Sequence, residues 1–286
     1  MFNKINWKSS IQKKNRTDLH HLQDRLVNFY SSSKDYYHEI DFTNDYWKNK
    51  DHLPFQEILN QAETTNRILE VGCGSANILK YHPELSQKYH GIDFSPDLIE
   101  TNQRKYPTAR FKNILNPQIF PFEDQQFDFV FSVYVLEHCV FPNIFLDECY
   151  RVLKPSGKLI ILTPDFLARS RMTSQKVGFS AGSGRDKFSK GKWIDGIVTL
   201  IENRVILPLY SRILRYKASR QPKFMVNLNP VCFSQQFYPD ADAVYVTYER
   251  EIKTYLNEKF EWHENTKVMS SFLKYKKLIM IQGVRK

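Results

Sequence analysis

The chain has 286 residues, of which 42% are hydrophobic and 25% charged, and its formal net charge is +10. This length and composition exclude collagen-like and disordered classes and suggest one large domain or a domain with an elaboration. The four cysteines form no C-x-x-C pair, so we expect neither a disulfide framework nor a metal site. No apolar run reaches the length of a membrane span and the basic N-terminus lacks a signal-peptide core, which predicts a cytoplasmic protein.

The net charge is concentrated in one segment. Residues 167–224 hold 13 Lys and Arg against three acidic residues, whereas basic and acidic side chains balance over the rest of the chain. A field localised in this way can recruit an anionic partner.

Strand and helix patterns alternate from residue 66 onward. A helix is expected to begin at Ser95, followed by Pro96 in its first turn, and another is expected around residues 141–149. This alternation predicts a doubly wound α/β sheet with parallel strands. The predicted strands are 67–71, 89–93, 109–115, 127–133 and 158–164, with two later candidates at 260–264 and 277–284.

The spacing of these elements predicts four regions. Residues 1–60 form an N-terminal helical cover, 61–166 the core, 167–256 a basic insertion after the fifth strand, and 257–286 the strands that complete the sheet. The insertion is expected because about ninety residues separate the fifth and sixth strands, far more than a crossover needs.

The insertion contains an amphipathic segment in which Pro208 predicts a kink. Its apolar stripe is Trp193, Ile197, Leu200, Ile201, Ile206, Leu209, Ile213 and Leu214. Three interpretations are open: a solvated helix face, a lid that builds a substrate site, or a membrane-surface helix. We rank the lid first and peripheral membrane contact through residues 186–220 second, with Trp193 and Tyr210 as interfacial anchors and Arg204, Arg212, Arg215 and Lys217 facing headgroups.

The turn after the first strand is the informative motif. Gly72 and Gly74 permit a sharp bend and a close ligand approach, and Ser75 is expected to cap the next helix. Asp93 ends the next strand 19 positions after Gly74, a spacing that suits hydrogen bonds to ribose hydroxyls. The third glycine of a dinucleotide fingerprint is absent, and Glu70 directly before the turn favours a ligand with a positive charge.

Five ordered motifs resemble class I S-adenosylmethionine-dependent methyltransferases of the ubiquinone/menaquinone-biosynthesis type. They cover roughly residues 65–165, with Ala76, Asn116 and Lys158 departing from the family pattern. The motifs are Glu70-Val71-Gly72-Cys73-Gly74, Gly91-Ile92-Asp93-Phe94, Phe120-Pro121-Phe122 before Phe127-Asp128, Val135-Leu136-Glu137-His138, and Leu153-Lys154-Pro155-Ser156-Gly157.

The resemblance implies a Rossmann-like, seven-stranded sheet with its last strand antiparallel, and S-adenosylmethionine as cofactor. Gly72, Cys73 and Gly74 would then contact the methionine portion, with Glu70 near its amino group and Asp93 on the ribose. Phe94 would pack on adenine, Leu115 or Asn116 would line the adenine edge, and Val133 and Tyr134 would lie near the sulfonium.

The predicted activity is in-line methyl transfer to a small-molecule or lipid-linked acceptor. His138 is the first candidate for a general base and Glu137 the second, although a local hydrogen-bonding role for His138 is the favoured alternative. A nucleic-acid (RNA) methyltransferase that uses the basic insertion and a non-catalytic S-adenosylmethionine-binding protein are the competing interpretations. Nucleic acid is disfavoured because residues 133–136 lack the Asn/Asp-Pro-Pro-aromatic run typical of base-modifying amino-methyltransferases.

Overall fold

The molecule is built around one mixed sheet. The computed structural model describes residues 16–32, 46–114, 119–166, 184–218, 221–228, 230 and 243–286. Within them, seven strands are arranged in the order β3-β2-β1-β4-β5-β7-β6. The strands are β1 Ile68–Val71, β2 Tyr89–Asp93, β3 Arg110–Asn113, β4 Phe127–Val133, β5 Leu153–Pro164, β6 Phe260–His263 and β7 Leu278–Arg285.

The strand directions confirm the predicted Rossmann-like fold. β1 to β5 pair in parallel, whereas β7 is antiparallel to both of its neighbours, β5 and β6. The carboxyl ends of β1 to β5 therefore share one edge of the sheet, which is where ligands bind in folds of this kind.

Helices cover both faces of the sheet. Short 3-10 turns at Pro83–Lys88 and Leu136–His138 and a π-helical turn at Glu202–Ile206 complete the described elements. Over the described residues, no helix has the length and apolar character needed to cross a bilayer. The helices are α1 Arg16–Ser32, α2 Leu53–Thr64, α3 Asn77–Tyr81, α4 Pro96–Lys105, α5 Pro142–Val152, α6 Gly184–Ser189, α7 Trp193–Ile201, α8 Leu207–Ala218, α9 Glu249–Tyr255 and α10 Lys267–Lys276.

The core consists of two apolar layers separated by the sheet. Side chains of β5 alternate between them: Leu159 and Ile161 join the layer under α1, α5 and α9, and Ile160 and Leu162 join the layer under α2, α3 and α10. A strand buried on both faces needs apolar residues at consecutive positions, which explains the continuous apolar runs in β4 and β5.

β5 begins five residues earlier than the sequence predicts. Phe127 pairs with Leu153 but Phe129 pairs with Lys158, so residues 154–157 bulge out of the ladder. Ser156 adopts a φ of 62°, and a Cβ on Gly157 would lie 2.8 Å from the Lys154 carbonyl oxygen. The motif at residues 153–157 therefore forms a bulge within one long strand.

The cover and the insertion each attach to the core through a few side chains. Leu19, Leu22 and Leu26 of α1 are buried in the layer over β4 and β5. Tyr210 of α8 belongs to a small separate cluster with Phe166, Ala243 and Val246. The predicted region boundaries at residues 60, 166 and 256 stay predictions.

Candidate functional site

The turn after β1 is closed by backbone hydrogen bonds to β2. The amides of Gly72 and Cys73 donate to the Ile92 carbonyl oxygen at 2.8 and 3.0 Å. Gly72 has a φ of +73°, and a Cβ there would lie 2.2 Å from a methyl carbon of Val135. Glycine is required at position 72 because the loop after β4 packs directly against it.

Gly74 differs from Gly72 in having free space beside it. Its φ is +48°, and a Cβ at this position would meet no atom within 4 Å. A hydrogen bond joins this part of the turn to the end of β2: the Gly74 amide donates to Asp93 Oδ2 at 2.9 Å. The open space therefore lies next to a buried carboxylate at the carboxyl edge of the sheet.

The Asp93 side chain faces the turn. Its Oδ1 accepts a hydrogen bond from the Ser95 amide at 3.0 Å, so each carboxylate oxygen already has one backbone donor. Burial raises the pKa of Asp93, and the amides of Ser95 and Gly74 oppose that rise. An ionised carboxylate offers about four acceptor positions. The positions that backbone amides do not use remain for hydroxyl donors of a ligand.

Two asparagines that sequence reasoning missed fix this geometry. Asn102 of α4, which is 2% exposed, donates from Nδ2 to the Gly74 carbonyl oxygen at 2.7 Å. Asn113 of β3 donates to the carbonyl oxygens of Asp93 and Phe94 at 3.0 and 2.9 Å. No local sequence signal marks either residue, because their partners are 19 to 28 positions away in the chain.

Glu70 lies on β1, two residues before Gly72, and is buried. The hydroxyl of Tyr89, a partner that the sequence did not indicate, donates to Glu70 Oε2. Burial raises the pKa of Glu70 from its ordinary 4.5 to about 8, Asp93 adds to the rise, and the Tyr89 hydrogen bond opposes it. Glu70 is therefore mostly neutral at pH 7 unless a cation lies beside it.

The other predicted cofactor residues that the structure describes lie at the same edge. Phe94 follows β2, and Val133 and Tyr134 lie at the end of β4, all three partly exposed. The Tyr134 amide donates to the Leu162 carbonyl oxygen at 2.8 Å, and its φ is 58°. Leu115 and Asn116 fall outside the described residues, so their predicted role stays a prediction.

Cys73 serves packing within this turn. Its Sγ lies 2.8 Å from the position that a Cβ on Gly91 would occupy, so the thiol fills the gap that this glycine leaves. Burial raises the pKa of the Cys73 thiol well above its usual range. Any ligand contact at Cys73 would therefore use its backbone.

The two candidate bases have different surroundings. Glu137 is fully buried, accepts a hydrogen bond from Thr163 Oγ1 at 2.9 Å, and holds the amides of Val244 and Tyr245 with its carbonyl oxygen. The His138 side chain is 19% exposed, with Nε2 at 3.9 Å from Glu137 Oε1. Solvent and a substrate can therefore reach His138 more readily than Glu137.

One group of side chains elsewhere has metal-ligand character. Ligand atoms of Glu63, His82 and Glu84 lie within 4.8 Å of one another among the described residues. These residues precede β1 and β2 in the chain, at the sheet edge away from Asp93. They take no part in the site described above.

The fold and the site together define a Rossmann-like α/β protein, a class in which ligands bind at the carboxyl edge of the sheet. A tight glycine turn after β1 and an acid at the end of β2 are the two determinants of the site. Comparison with known proteins makes the class more specific. Residues 69–161 match a family model described as a methyltransferase domain.

Relatives with curated descriptions agree with this match. The chain is 31% identical over 112 residues to a ubiquinone/menaquinone biosynthesis C-methyltransferase of Geotalea daltonii, covering 35% of this chain and 48% of the relative. It is 28% identical over 117 residues to a sterol 4-C-methyltransferase of Caenorhabditis elegans, covering 38% and 34%. The chain thus spans about half the length of these relatives or less. The resemblance to S-adenosylmethionine-dependent methyltransferases is therefore confirmed over residues 69–161, which match the methyltransferase-domain model.

Two solved structures resemble the chain over most of its length. A protein of Pyrococcus horikoshii aligns with a TM-score of 0.49 at 16% identity and covers 88% of this chain and 99% of its own. A methyltransferase of Aquifex aeolicus, described as dependent on S-adenosylmethionine, aligns with a TM-score of 0.44 at 13% identity and covers 85% and 97%.

Proposed function

We propose that this protein is an S-adenosylmethionine-dependent methyltransferase that acts on a small-molecule or lipid-linked acceptor. The observation that carries the proposal is the placement of Asp93 against the turn, where its carboxylate meets the Gly74 amide beside open space. The match of residues 69–161 to a methyltransferase domain supports the same conclusion.

The residues present fit the cofactor. Asp93 has acceptor positions left for the ribose hydroxyls, and the open space beside Gly74 admits the methionine portion. Glu70 is placed to meet the amino group, whose positive charge would favour ionisation of the buried carboxyl. Phe94 supplies an apolar face for adenine, and Val133 and Tyr134 border the sulfonium. Leu115 and Asn116 keep their proposed place at the adenine edge.

The bound cofactor supplies an activated methyl group, so the protein has mainly to hold the acceptor in line with the bond that breaks. Such positioning provides a large part of the rate enhancement in two-substrate reactions. The fixed backbone of the turn serves this purpose, because Asn102 and Asp93 hold Gly74 from both its carbonyl and its amide side.

An oxygen or nitrogen acceptor must also lose a proton. We assign that role to the imidazole of His138, which is accessible, and give Glu137 a positioning role between Thr163 and the segment at residues 243–245. His138→Gln should lower kcat and leave the affinity for S-adenosylmethionine unchanged, and His263→Gln on the exposed edge of β6 is the matched control. Equal loss of cofactor affinity in His138→Gln would contradict a base function.

The acceptor is proposed from the character of the relatives. The relatives described above are named for quinone biosynthesis and for sterol methylation, and both groups of compounds are largely apolar. We therefore favour an apolar or lipid-linked acceptor for this chain.

The decisive experiment measures cofactor binding and turnover separately. Titration calorimetry gives the dissociation constant of S-adenosylmethionine for the full chain, for Asp93→Ala, and for Glu100→Ala, which removes an exposed carboxylate from the adjacent helix. Asp93→Ala should weaken binding by at least tenfold, and Glu100→Ala should not. Formation of S-adenosylhomocysteine with a metabolite pool, together with a product one methylene heavier, then tests catalysis. Unchanged affinity in Asp93→Ala would refute the assignment.

A further inference from the structure

The run formed by α7, the π-helical turn and α8 carries an exposed row of aliphatic side chains. Its members recur every three or four residues, and each is between 49% and 79% exposed. We call this row the outer stripe; it consists of Ile194, Ile197, Ile201, Val205, Leu209 and Ile213. A spacing of three or four residues places side chains on one face of a helix.

The opposite face of the run is buried. Gly196 and Thr199 pack on α6, and Tyr210 is 6% exposed against Phe166. Tyr210 is thus an attachment to the core, and the prediction that it is an interfacial anchor is wrong. The same fixation keeps the outer stripe pointing away from the protein.

Basic side chains border the outer stripe. Arg204 and Arg212 of the run and Lys192 directly before it are all exposed. Trp193, 65% exposed, lies at its start. Long cationic side chains can lie along an apolar surface and extend their charge to its rim. An aliphatic centre, a basic rim and an aromatic residue at one end are typical of helices that lie in a bilayer interface.

This composition favours a lipid surface over other occupants. Proteins that remain free in water rarely expose a contiguous apolar patch of this kind. Surfaces that bind single-stranded RNA use aromatic rings for base stacking, whereas the outer stripe is aliphatic. Its basic rim is complementary to anionic lipid headgroups.

The position of the run connects it with the site. Phe166, which holds Tyr210, lies two residues after β5 ends at the carboxyl edge where Asp93 and Gly74 meet. The run is therefore attached at the same edge of the sheet as the proposed site. This relation to the site rests on the proposed function, whereas the contact itself does not.

We propose that the outer stripe and its basic rim dock the protein on the surface of an anionic membrane, so that an acceptor held in the bilayer reaches the crevice without leaving it. The helices lie on the membrane and do not cross it.

Vesicle flotation of the full chain tests this proposal with phosphatidylcholine vesicles that contain or lack phosphatidylglycerol. The wild-type chain should float with the anionic vesicles. Ile194→Ser/Ile197→Ser should reduce its apparent affinity at least tenfold, since burying each isoleucine stabilises the bound state. The matched control is Val268→Ser/Tyr275→Ser, which removes two equally exposed apolar side chains from α10 and should float like the wild type.

The basic rim is tested in the same assay. Lys192→Gln/Arg204→Gln should weaken binding to anionic vesicles about thirtyfold, because each basic residue near such a surface contributes about 1 kcal/mol. Lys267→Gln/Lys274→Gln on α10 is the control and should have no comparable effect. For both double variants, binding to vesicles without phosphatidylglycerol should differ little from that of the wild type.

Three results would overturn the proposal. The first is that the wild type does not float. The second is that Ile194→Ser/Ile197→Ser converts a dimer into a monomer in sedimentation, which would make the outer stripe a dimer interface, and the third is that Lys192→Gln/Arg204→Gln loses RNA binding while its flotation is unchanged, which would make the basic rim an RNA-binding surface. Affinity for S-adenosylmethionine is measured without vesicles on the same samples. A wild-type chain that binds the cofactor and does not float refutes docking alone, whereas one that floats without binding the cofactor refutes the proposed function alone.

Discussion

Glu70→Gln should stabilise the protein near neutral pH. Glu70 is 6% exposed, and burial raises its pKa from 4.5 to about 8. An acid whose pKa is raised by folding contributes its stabilisation below the unfolded value and loses it as pH rises towards the folded value. Between pH 4.5 and pH 8, therefore, the native state progressively loses stability relative to the unfolded chain, which ionises freely.

The magnitude follows from these two pKa values. At pH 7 the unfolded chain has Glu70 almost fully ionised, whereas the native chain keeps it mostly protonated, which costs about 3 kcal/mol relative to pH 4. Glutamine cannot ionise but still offers an oxygen to the Tyr89 hydroxyl. The variant should therefore exceed the wild type by about 3 kcal/mol at pH 7 and by much less at pH 4.

Urea unfolding at pH 4.5, 6, 7 and 8, without cofactor, measures this difference. The free energy of unfolding of the variant should depend less steeply on pH than that of the wild type over this range. Glu264→Gln, which removes an exposed carboxylate, reports the effect of the substitution itself. A Glu70→Gln variant that is less stable than the wild type at pH 7, or whose stability follows pH with the wild-type slope, would refute the reasoning.

Four further predictions concern the turn and its ligand. Gly72→Ala should destabilise the fold strongly, because its Cβ would lie 2.2 Å from a Val135 methyl carbon, and Val135→Ala should restore part of the loss in urea unfolding. Gly74→Ala should cost only about 1–2 kcal/mol in backbone strain yet weaken S-adenosylmethionine binding in calorimetry. Calorimetry at pH 7 in buffers of different ionisation enthalpy should show a proton released on binding by the wild type and less proton release by Glu70→Gln. Asn102→Ala should cost about 1–3 kcal/mol and lower cofactor affinity, since it leaves the Gly74 carbonyl oxygen without its donor.

The strands, and the strand ends that carry the site residues, were predictable because they depend on local composition. Residues 89–93 and 127–133 were predicted with the bounds that β2 and β4 have, and β4 shows the largely apolar character that a strand buried on both faces needs. Asp93 ends β2, so its location at the carboxyl edge was predictable too. The Ser75 cap was wrong: α3 begins after Ala76, which adopts a left-handed φ of 51° without a side-chain cap.

The partners of the site residues were not predictable, because they depend on tertiary packing. Asn102 and Tyr89 acquire their roles only once α4 and β2 lie beside the turn, and nothing in their flanking sequence distinguishes them. The amphipathic insertion shows the same limit. The sequence shows its apolar periodicity. It does not show which face is attached to the protein and which faces outward, because that depends on the packing of Tyr210 in the cluster at Phe166.

Glu137 links the loop after β4 to the end of β5 and to the segment at residues 243–245. Its side chain binds Thr163 near the end of β5, and its carbonyl oxygen accepts the amides of Val244 and Tyr245. The same peptide therefore ties the loop after β4, which borders the proposed sulfonium position, to the segment that packs beside α8. A ligand that moved this loop would either break these hydrogen bonds, at a cost in free energy, or move the attachment of the outer stripe with it. Membrane docking and cofactor binding should consequently be coupled through Glu137, and the coupling has to act equally in both directions.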